Sequence, residues 1–251
     1  KEQLSRSKEM KDVEKQNSGL ELSIKNLQTR RNDIQRYAEI MDQVGEVDVS
    51  VDTAFQKKFT SFYRVRRDDR WRGEFYRLFE ECKTVESLSF QYILQEMFNR
   101  TGRIEASFSS KLLATLNPQM PIWDSIVLSK LQLKPGTYQN KEKRIAEVVE
   151  IYQEINYWYK GFLQSEGGRE YLDTFDDAFP ENKRFSSVKK IDFLLWGSGE
   201  VNPLPRKEIE IHGCVEVPMT VSEDEFLNKF IEFIEENHWY FGGRVNEMAE
   251  Q

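Results

Sequence analysis

The first 44 residues carry a heptad pattern that limits, more than any other feature, what this chain can fold into. Counted from Met10, eight of the ten a and d positions are apolar, at alternating spacings of three and four residues. A lone helix of this kind would leave a long apolar seam in water. We therefore predict that residues 1–45 form a coiled-coil helix that joins two copies of the chain. The predicted seam consists of Met10, Val13, Asn17, Leu20, Ile24, Leu27, Ile34 and Met41.

Two polar a positions bear on the form of this coiled coil. Asn17 is typical of a two-stranded coil, in which a buried Asn fixes the register at some expense of stability. Arg31 disfavours a larger bundle, because its charge would be buried there. The e and g positions carry no consistent charge pattern, so the sequence leaves the orientation of the helices open. The alternative is that this helix folds back onto its own domain.

The middle of the chain is predicted to be an all-helical domain over residues 52–198. Gly45 and a polar, β-branched stretch interrupt the heptads at 45–53, which indicates a linker. Beyond it, apolar residues recur at spacings of three and four, separated by breaks such as "TG", "NP", "LKPG" and "SEGG". The predicted helices span 69–83, 87–100, 105–116, 121–131, 139–164, 169–178 and 187–196. The predicted fold class is mainly α.

Residues 206–247 change period and predict a small β-α-β element. From 207 to 217, Ile and Val alternate with Glu, His and Cys, as in a half-buried strand. Ser222 and Glu225 form a capping box that starts a helix, and 238–245 ("HWYFGGRV") is predicted as a second short strand. Two strands and a helix are not stable alone, so this element needs strands from elsewhere in the fold or from a second chain.

An arginine-rich stretch, residues 60–81, raises the question of nucleic-acid binding. Its residues Trp71, Phe75, Leu78, Phe79 and Cys82 recur at spacings of three and four, which predicts the core face of a helix rather than a base-stacking surface. Two further arginines stand at ion-pair spacing from glutamates. The remaining four, Arg64, Arg66, Arg67 and Arg72, are candidates for phosphate contacts, because a guanidinium can bind a phosphate through two hydrogen bonds. The alternative is that they pair with the chain's own carboxylates.

Charge and composition narrow the choice of partners. The formal net charge is −7 at pH 7, whereas proteins that bind nucleic acid by bulk charge are usually basic. Any such binding therefore depends on a local basic patch. The longest apolar runs are far shorter than a membrane span, so no membrane partner is expected. Cys82 and Cys214 are too few for a disulfide framework, which favours a cytoplasmic location.

The sequence holds no complete catalytic or metal-binding motif. It has no P-loop, GxSxG, HExxH or EF-hand pattern. His212, Cys214, His238 and Cys82 lack the close spacing of a zinc site. We therefore expect no metal and no cofactor.

Residues 105–127, "EASFSSKLLATLNPQMPIWDSIV", resemble the hairpin region of helix-hairpin-helix DNA glycosylases and their uncharacterised bacterial relatives. In that family a glycine-bearing hairpin leads into a helix, sometimes with a catalytic lysine, and a proline precedes a catalytic aspartate at the next helix. Lys111, Asp124 and Pro121 match these positions, and residues 188–197 resemble a closing helix of the relatives. Ser107 and Ser109 stand where the family has its hairpin glycines.

The resemblance implies a chemistry for the lysine and the aspartate. Lys111 would attack the anomeric carbon of the sugar, and the Asp124 carboxylate would stabilise the cationic transition state. In the alternative, Lys111 is solvated and Asp124 is a residue at a helix N-terminus, where the helix dipole favours a negative charge.

Two functional hypotheses follow from the sequence. The first is a nucleic-acid-associated helical module, dimeric through its coiled coil and glycosylase-like in arrangement, but without a complete catalytic site. The second is a non-enzymatic adaptor or assembly protein that acts through the coiled coil and the β-α-β element. The arginines and the Lys111 and Asp124 pair favour the first hypothesis. The acidic balance and the missing hairpin glycines favour the second.

Overall fold

The helices of this chain begin and end close to where the sequence patterns place them. A computed structural model describes residues 19–136, 140–198 and 213–236, and these residues form helices but no strands. The mainly α fold is therefore confirmed. The helices are α1 (19–29), α2 (Arg31–Gln43), α3 (Thr53–Tyr63), α4 (Asp69–Cys82), α5 (Phe90–Thr101), α6 (Ala106–Leu116), α7 (Ser125–Leu131), α8 (Lys141–Gln164), α9 (Glu166–Ala178), α10 (Ser187–Gly197) and α11 (Glu223–Glu236).

Polar side chains in front of the helices explain many of these starting points. Asp52, Asp68, Ser89, Ser165 and Ser186 each accept a hydrogen bond from the amide three residues later. Each bond satisfies one of the free donors in a first helical turn. At the end of α5, Gly102 takes a left-handed conformation with a φ of 70°. The local sequence thus accounts for much of the helix pattern.

Aromatic side chains dominate the main core, which includes residues of α3 to α8 and of α10. The Phe59 ring on α3 contacts the rings of Phe75 and Phe79 on α4, at centroid distances of 5.8 and 5.4 Å. Trp71 stacks on Phe75 at 5.0 Å and meets Phe108 of α6 edge-on. The aromatic residues on α4 are therefore core residues, as their spacing predicted.

A second, smaller core lies between the N-terminal helices and α9 and α10. Leu20 and Leu27 are buried there against aromatic residues of α9, of the turn that follows it and of α10. The side-chain amide of Asn26 donates to the backbone carbonyl of Gly197 at 2.8 Å. A Cβ atom on Gly197 would lie 2.5 Å from the carbonyl oxygen of Ser23, so this close approach of α1 to α10 requires glycine.

The coiled coil predicted for residues 1–45 is not confirmed. Of its seam, Leu20, Leu27 and Ile34 are buried in the second core, and Ile24 and Met41 pack against that core. The helix is also interrupted at Arg30, which is not helical. Apolar residues of the same chain cover this part of the seam, which removes the driving force for pairing there. Met10, Val13 and Asn17 lie outside the described residues, and dimerisation through them stays a prediction.

The C-terminal β-α-β element is not supported. Residues 213–217, the described part of the first predicted strand, are exposed and form no strand. A strand needs neighbouring strands to be stable, and none occurs in the described parts of the chain. The helix of the element is present as α11, and the Ser222 hydroxyl accepts from the Glu225 amide at 3.2 Å, as the capping box predicted. Residues 206–212 and 237–247 lie outside the described residues.

Candidate functional site

Asp124 lies at the N-terminus of α7 and is held there by two hydrogen bonds. Its Oδ1 atom accepts from the Val127 amide at 2.9 Å, which makes Asp124 the cap of this helix. Its Oδ2 atom accepts from the indole Nε1 of Trp196, on α10, at 2.7 Å. Both side chains are half-buried. The carboxylate is thus fixed in orientation and connected to a helix far away in the sequence.

The segment before Asp124 is extended, which corrects the prediction that the helix begins at Pro121. The helix begins at Ser125. The Tyr152 hydroxyl donates to the Pro121 carbonyl at 2.8 Å, and the Trp123 amide donates to the Ser110 hydroxyl at 2.8 Å. These tertiary hydrogen bonds satisfy polar groups of the extended segment, and local sequence patterns do not contain them.

Lys189, on α10, is a buried cation surrounded by aromatic rings. Only 3% of its surface is exposed. Its ammonium lies 4.6 Å from the ring centroid of Tyr37 and 4.8 Å from that of Trp196. The rings of Phe193 and Tyr63 lie at 5.2 and 6.0 Å. The electron-rich ring faces favour the positive charge, and they hold it next to the indole that contacts Asp124.

Asp192 lies one helical turn beyond Lys189 and is 1% exposed. Its Oδ2 atom is 3.5 Å from the Lys189 ammonium, and its Oδ1 atom accepts a hydrogen bond from the Tyr159 hydroxyl. Burial raises the pKa of the Asp192 carboxyl to about 6, although Lys189 and Tyr159 act to lower it, and the Asp124 carboxylate raises it further. Asp124 and Asp192 therefore belong to one electrostatic environment.

Lys111, on α6, approaches the same place from the other side of Tyr63. Its ammonium donates to the Ser107 hydroxyl at 2.9 Å. It lies 5.7 Å from the Tyr63 ring centroid and 5.1 Å from that of Phe108. Tyr63 thus lies close to both Lys111 and Lys189. We call the residues connected in this way the Asp124 cluster: Tyr63, Lys111, Asp124, Lys189, Asp192 and Trp196.

The Asp124 cluster has an outer half and a buried half. Lys111, Asp124 and Trp196 are half-buried and reach solvent, whereas the other three members are buried. The outer half offers a cation, a carboxylate and an aromatic ring. This combination suits a planar ligand that carries both hydrogen-bond donors and acceptors.

Arg67, one of the predicted phosphate contacts, is buried in an ion pair. Only 6% of its surface is exposed, and its Nε and Nη2 atoms donate to the two carboxylate oxygens of Glu105 at 3.0 and 3.1 Å. Arg103 Nε also donates to Glu105, at 3.1 Å. Burial would raise the pKa of Glu105, but the two guanidiniums outweigh it and hold the pKa below its usual value. Arg67 is thus committed to the fold and does not face a ligand.

The other three predicted phosphate contacts lie at the surface near Arg67. Arg72 forms an ion pair with Asp69 in the first turn of α4. Arg64 and Arg66 are exposed, and Arg64 ends α3 in a left-handed conformation with a φ of 53°. Because the turn that carries both begins directly after Tyr63, these two exposed arginines lie beside the Asp124 cluster.

The positions matched to the hairpin glycines lie inside a helix. Ser107 and Ser109 both belong to α6, and Ser109 is fully buried. Amides inside a helix are bonded within it, so these two do not offer the free donors that a glycine hairpin presents to a phosphate. The residue before α6 is Glu105, whose carboxylate adds negative charge at this end of the helix. This part of the family's DNA contact has no counterpart here.

Three members of the cluster were missed by the sequence analysis: Lys189, Asp192 and Trp196. A signal for two of them was present in "VKKIDFLLWG", where Lys189 and Asp192 stand one turn apart within a predominantly apolar helix. Charged residues that are buried on such a helix usually pair with each other or take part in a site. Their connection to Asp124 depends on the packing of α10 against α7, which no local pattern contains.

Comparison with protein-family models, with curated proteins and with solved structures gives no match. The part of the chain that the structure describes contains no group of His, Cys, Asp or Glu side chains that could hold a metal ion. It also contains no helix that is long and apolar enough to span a membrane. The geometry of the Asp124 cluster is therefore the main guide to function.

Proposed function

We propose that this protein is a nucleic-acid-binding helical module that holds an unstacked nucleobase at the Asp124 cluster. The observation that carries the proposal is the position of Lys111 and Asp124. These two residues, which the glycosylase resemblance picks out, belong to the same cluster as a half-exposed indole and a buried charge pair. Nucleobases that leave a helical stack are bound by stacking on aromatic rings and by hydrogen bonds to their edges.

Electrostatics support a modest, salt-sensitive affinity. Arg64 and Arg66 are exposed beside the cluster, where they can contact the phosphates on either side of a bound nucleotide. The net charge of −7 opposes binding elsewhere on the surface. Affinity therefore depends on a few contacts, each of which releases counterions from the nucleic acid.

The proposal is binding rather than cleavage of the glycosidic bond. Both oxygens of Asp124 accept hydrogen bonds from the protein, at 2.9 and 2.7 Å, so the carboxylate already serves as a helix cap and as the partner of Trp196. Lys111 donates to Ser107, and burial of its stem among aromatic rings holds it away from a position of its own choosing in solvent. These contacts suit fixed recognition groups.

We expect the double variant R64Q/R66Q to bind single-stranded DNA about tenfold more weakly than the parent at low salt. The slope of log affinity against log salt should also fall by up to about 2, because each lost phosphate contact removes about 0.9. Fluorescence anisotropy with a labelled oligonucleotide measures both quantities.

The matched control is K160Q/R169Q, which removes two positive charges from exposed positions on α8 and α9. It should bind almost as well as the parent. An equal loss in both double variants would assign the interaction to overall charge and contradict the proposed surface. A parent protein that does not bind at low salt would support the adaptor hypothesis instead.

A further inference from the structure

Lys189 has unused hydrogen-bonding capacity in the interior of the protein. Its ammonium carries three N–H donors, and it makes no hydrogen bond to the described residues. The nearest acceptor with an opposite charge, Asp192 Oδ2, lies 3.5 Å away, beyond the usual length of a strong charge-assisted bond. The four surrounding rings attract the charge but offer no lone pair in their planes.

The neighbouring lysine shows what a structural lysine looks like on the same helix. Lys190 is also buried, and its ammonium lies 2.6 Å from Asp176 Oδ1 on α9. That distance is normal for an ion pair that fastens two helices together. Lys189 lacks such a close partner, although burying a cation is costly unless acceptors surround it. A buried polar group of this kind is a mark of a ligand site.

Trp196 is the wall of this site that reaches solvent. The other three rings around Lys189, from Tyr37, Tyr63 and Phe193, are buried, whereas Trp196 is half-buried. Its indole is held by the hydrogen bond to Asp124, which is itself half-buried. Movement of this one side chain would open a path from the outer half of the Asp124 cluster to the Lys189 ammonium.

We propose that Lys189 and Asp192 form the floor of a base-recognition subsite behind Trp196, which selects a nucleobase with a ring carbonyl next to a ring N–H. This inference rests on the proposed function. A carbonyl oxygen would accept from the Lys189 ammonium, and the adjacent N–H would donate to the Asp192 carboxylate. The aromatic walls would pack against the planar ring.

The charges around Lys189 favour a neutral ligand over an anionic one. Asp192 lies 3.5 Å from the ammonium, and Asp124 is close enough to influence the Asp192 carboxyl. A phosphate or carboxylate at this position would be repelled by both aspartates and would have to leave water for an aromatic pocket. A neutral carbonyl meets neither penalty.

The test uses two oligonucleotides that differ in one carbonyl. Each is a single strand of abasic tetrahydrofuran nucleotides with one central base, either hypoxanthine or purine, because purine lacks the carbonyl and the adjacent N–H of hypoxanthine. We expect the parent to bind the hypoxanthine strand about 10- to 100-fold more tightly, the range for hydrogen bonds to charged groups. K189M should bind both strands with the weaker affinity.

The control variant is K190M, which removes a buried lysine from the same helix but leaves the aromatic surround intact. It should keep the preference for hypoxanthine. A parent that binds both strands equally would overturn the inference, and so would an equal loss of preference in K189M and K190M. If K189M does not fold, K189Q, which keeps a polar donor without the charge, replaces it.

Failure of the subsite can be told apart from failure of the proposed function. If the parent binds both strands equally and R64Q/R66Q weakens both, the nucleic-acid surface stands and the Lys189 subsite is wrong. If the parent binds neither strand at low salt, the proposed function itself is wrong and the subsite falls with it.

Discussion

Replacing Arg67 with Met is expected to lower the free energy of unfolding by about 3–5 kcal/mol, the usual loss when one partner of a buried ion pair is removed. Arg67 binds both carboxylate oxygens of Glu105, and the two residues are only 6% and 5% exposed. In R67M the buried Glu105 carboxylate would keep Arg103 as its charged partner. Urea unfolding followed by circular dichroism measures the change.

The matched control for this prediction is R64M. Arg64 is exposed, so the same substitution there should change the free energy of unfolding by no more than about 0.5 kcal/mol. Equal and small effects at the two positions would contradict the buried ion pair. They would also return Arg67 to the group of arginines that are available for phosphate.

The second large effect concerns the pH dependence of stability and originates at Asp192. Its carboxyl pKa is about 6 in the folded protein, against an ordinary value of 3.8. The folded state therefore binds this proton more tightly than the unfolded state. The resulting stabilisation is complete below pH 3.8 and is lost as the pH rises to about 6. The loss amounts to about 3 kcal/mol, since one pKa unit corresponds to about 1.36 kcal/mol.

The variant D192N has no carboxyl to titrate at this position. We expect the unfolding free energy of D192N minus that of the parent to rise by about 3 kcal/mol between pH 3.5 and pH 7. Taking the difference removes any constant cost of the substitution and the titration of groups that both proteins share. A difference that stays flat, or that falls with increasing pH, would contradict the raised pKa of Asp192.

Much of the helical fold could be predicted because its signals are local. Asp68 and Ser186 cap helices through amides three residues away, and the apolar spacing on α4 identifies its core face. Such features depend on residues within one or two turns, which a sequence displays directly. The predicted and observed bounds of α4, α6 and α10 agree closely for this reason.

The errors arose where a residue's partner is distant in the sequence. A heptad seam can be covered by a second copy or by the same chain, and the contact of Leu27 with α9 and α10 decides for the same chain over the described residues. Arg67 and Arg64 are alike in sequence, but only Arg67 meets Glu105, 38 residues away. The bond between Trp196 and Asp124 spans 72 residues. Neither spacing nor composition encodes these encounters.

The central claim, that a nucleobase enters the Asp124 cluster, is tested most directly by the NMR signal of the Trp196 indole N–H. This proton lies in the hydrogen bond to Asp124, and the variant W196F identifies its resonance among the tryptophans. We predict that the abasic strand with one central hypoxanthine shifts the resonance as it saturates the protein, while the same strand without a base binds and leaves it in place. A resonance that stays unchanged at saturation with the hypoxanthine strand, or that shifts equally with both strands, would contradict the account.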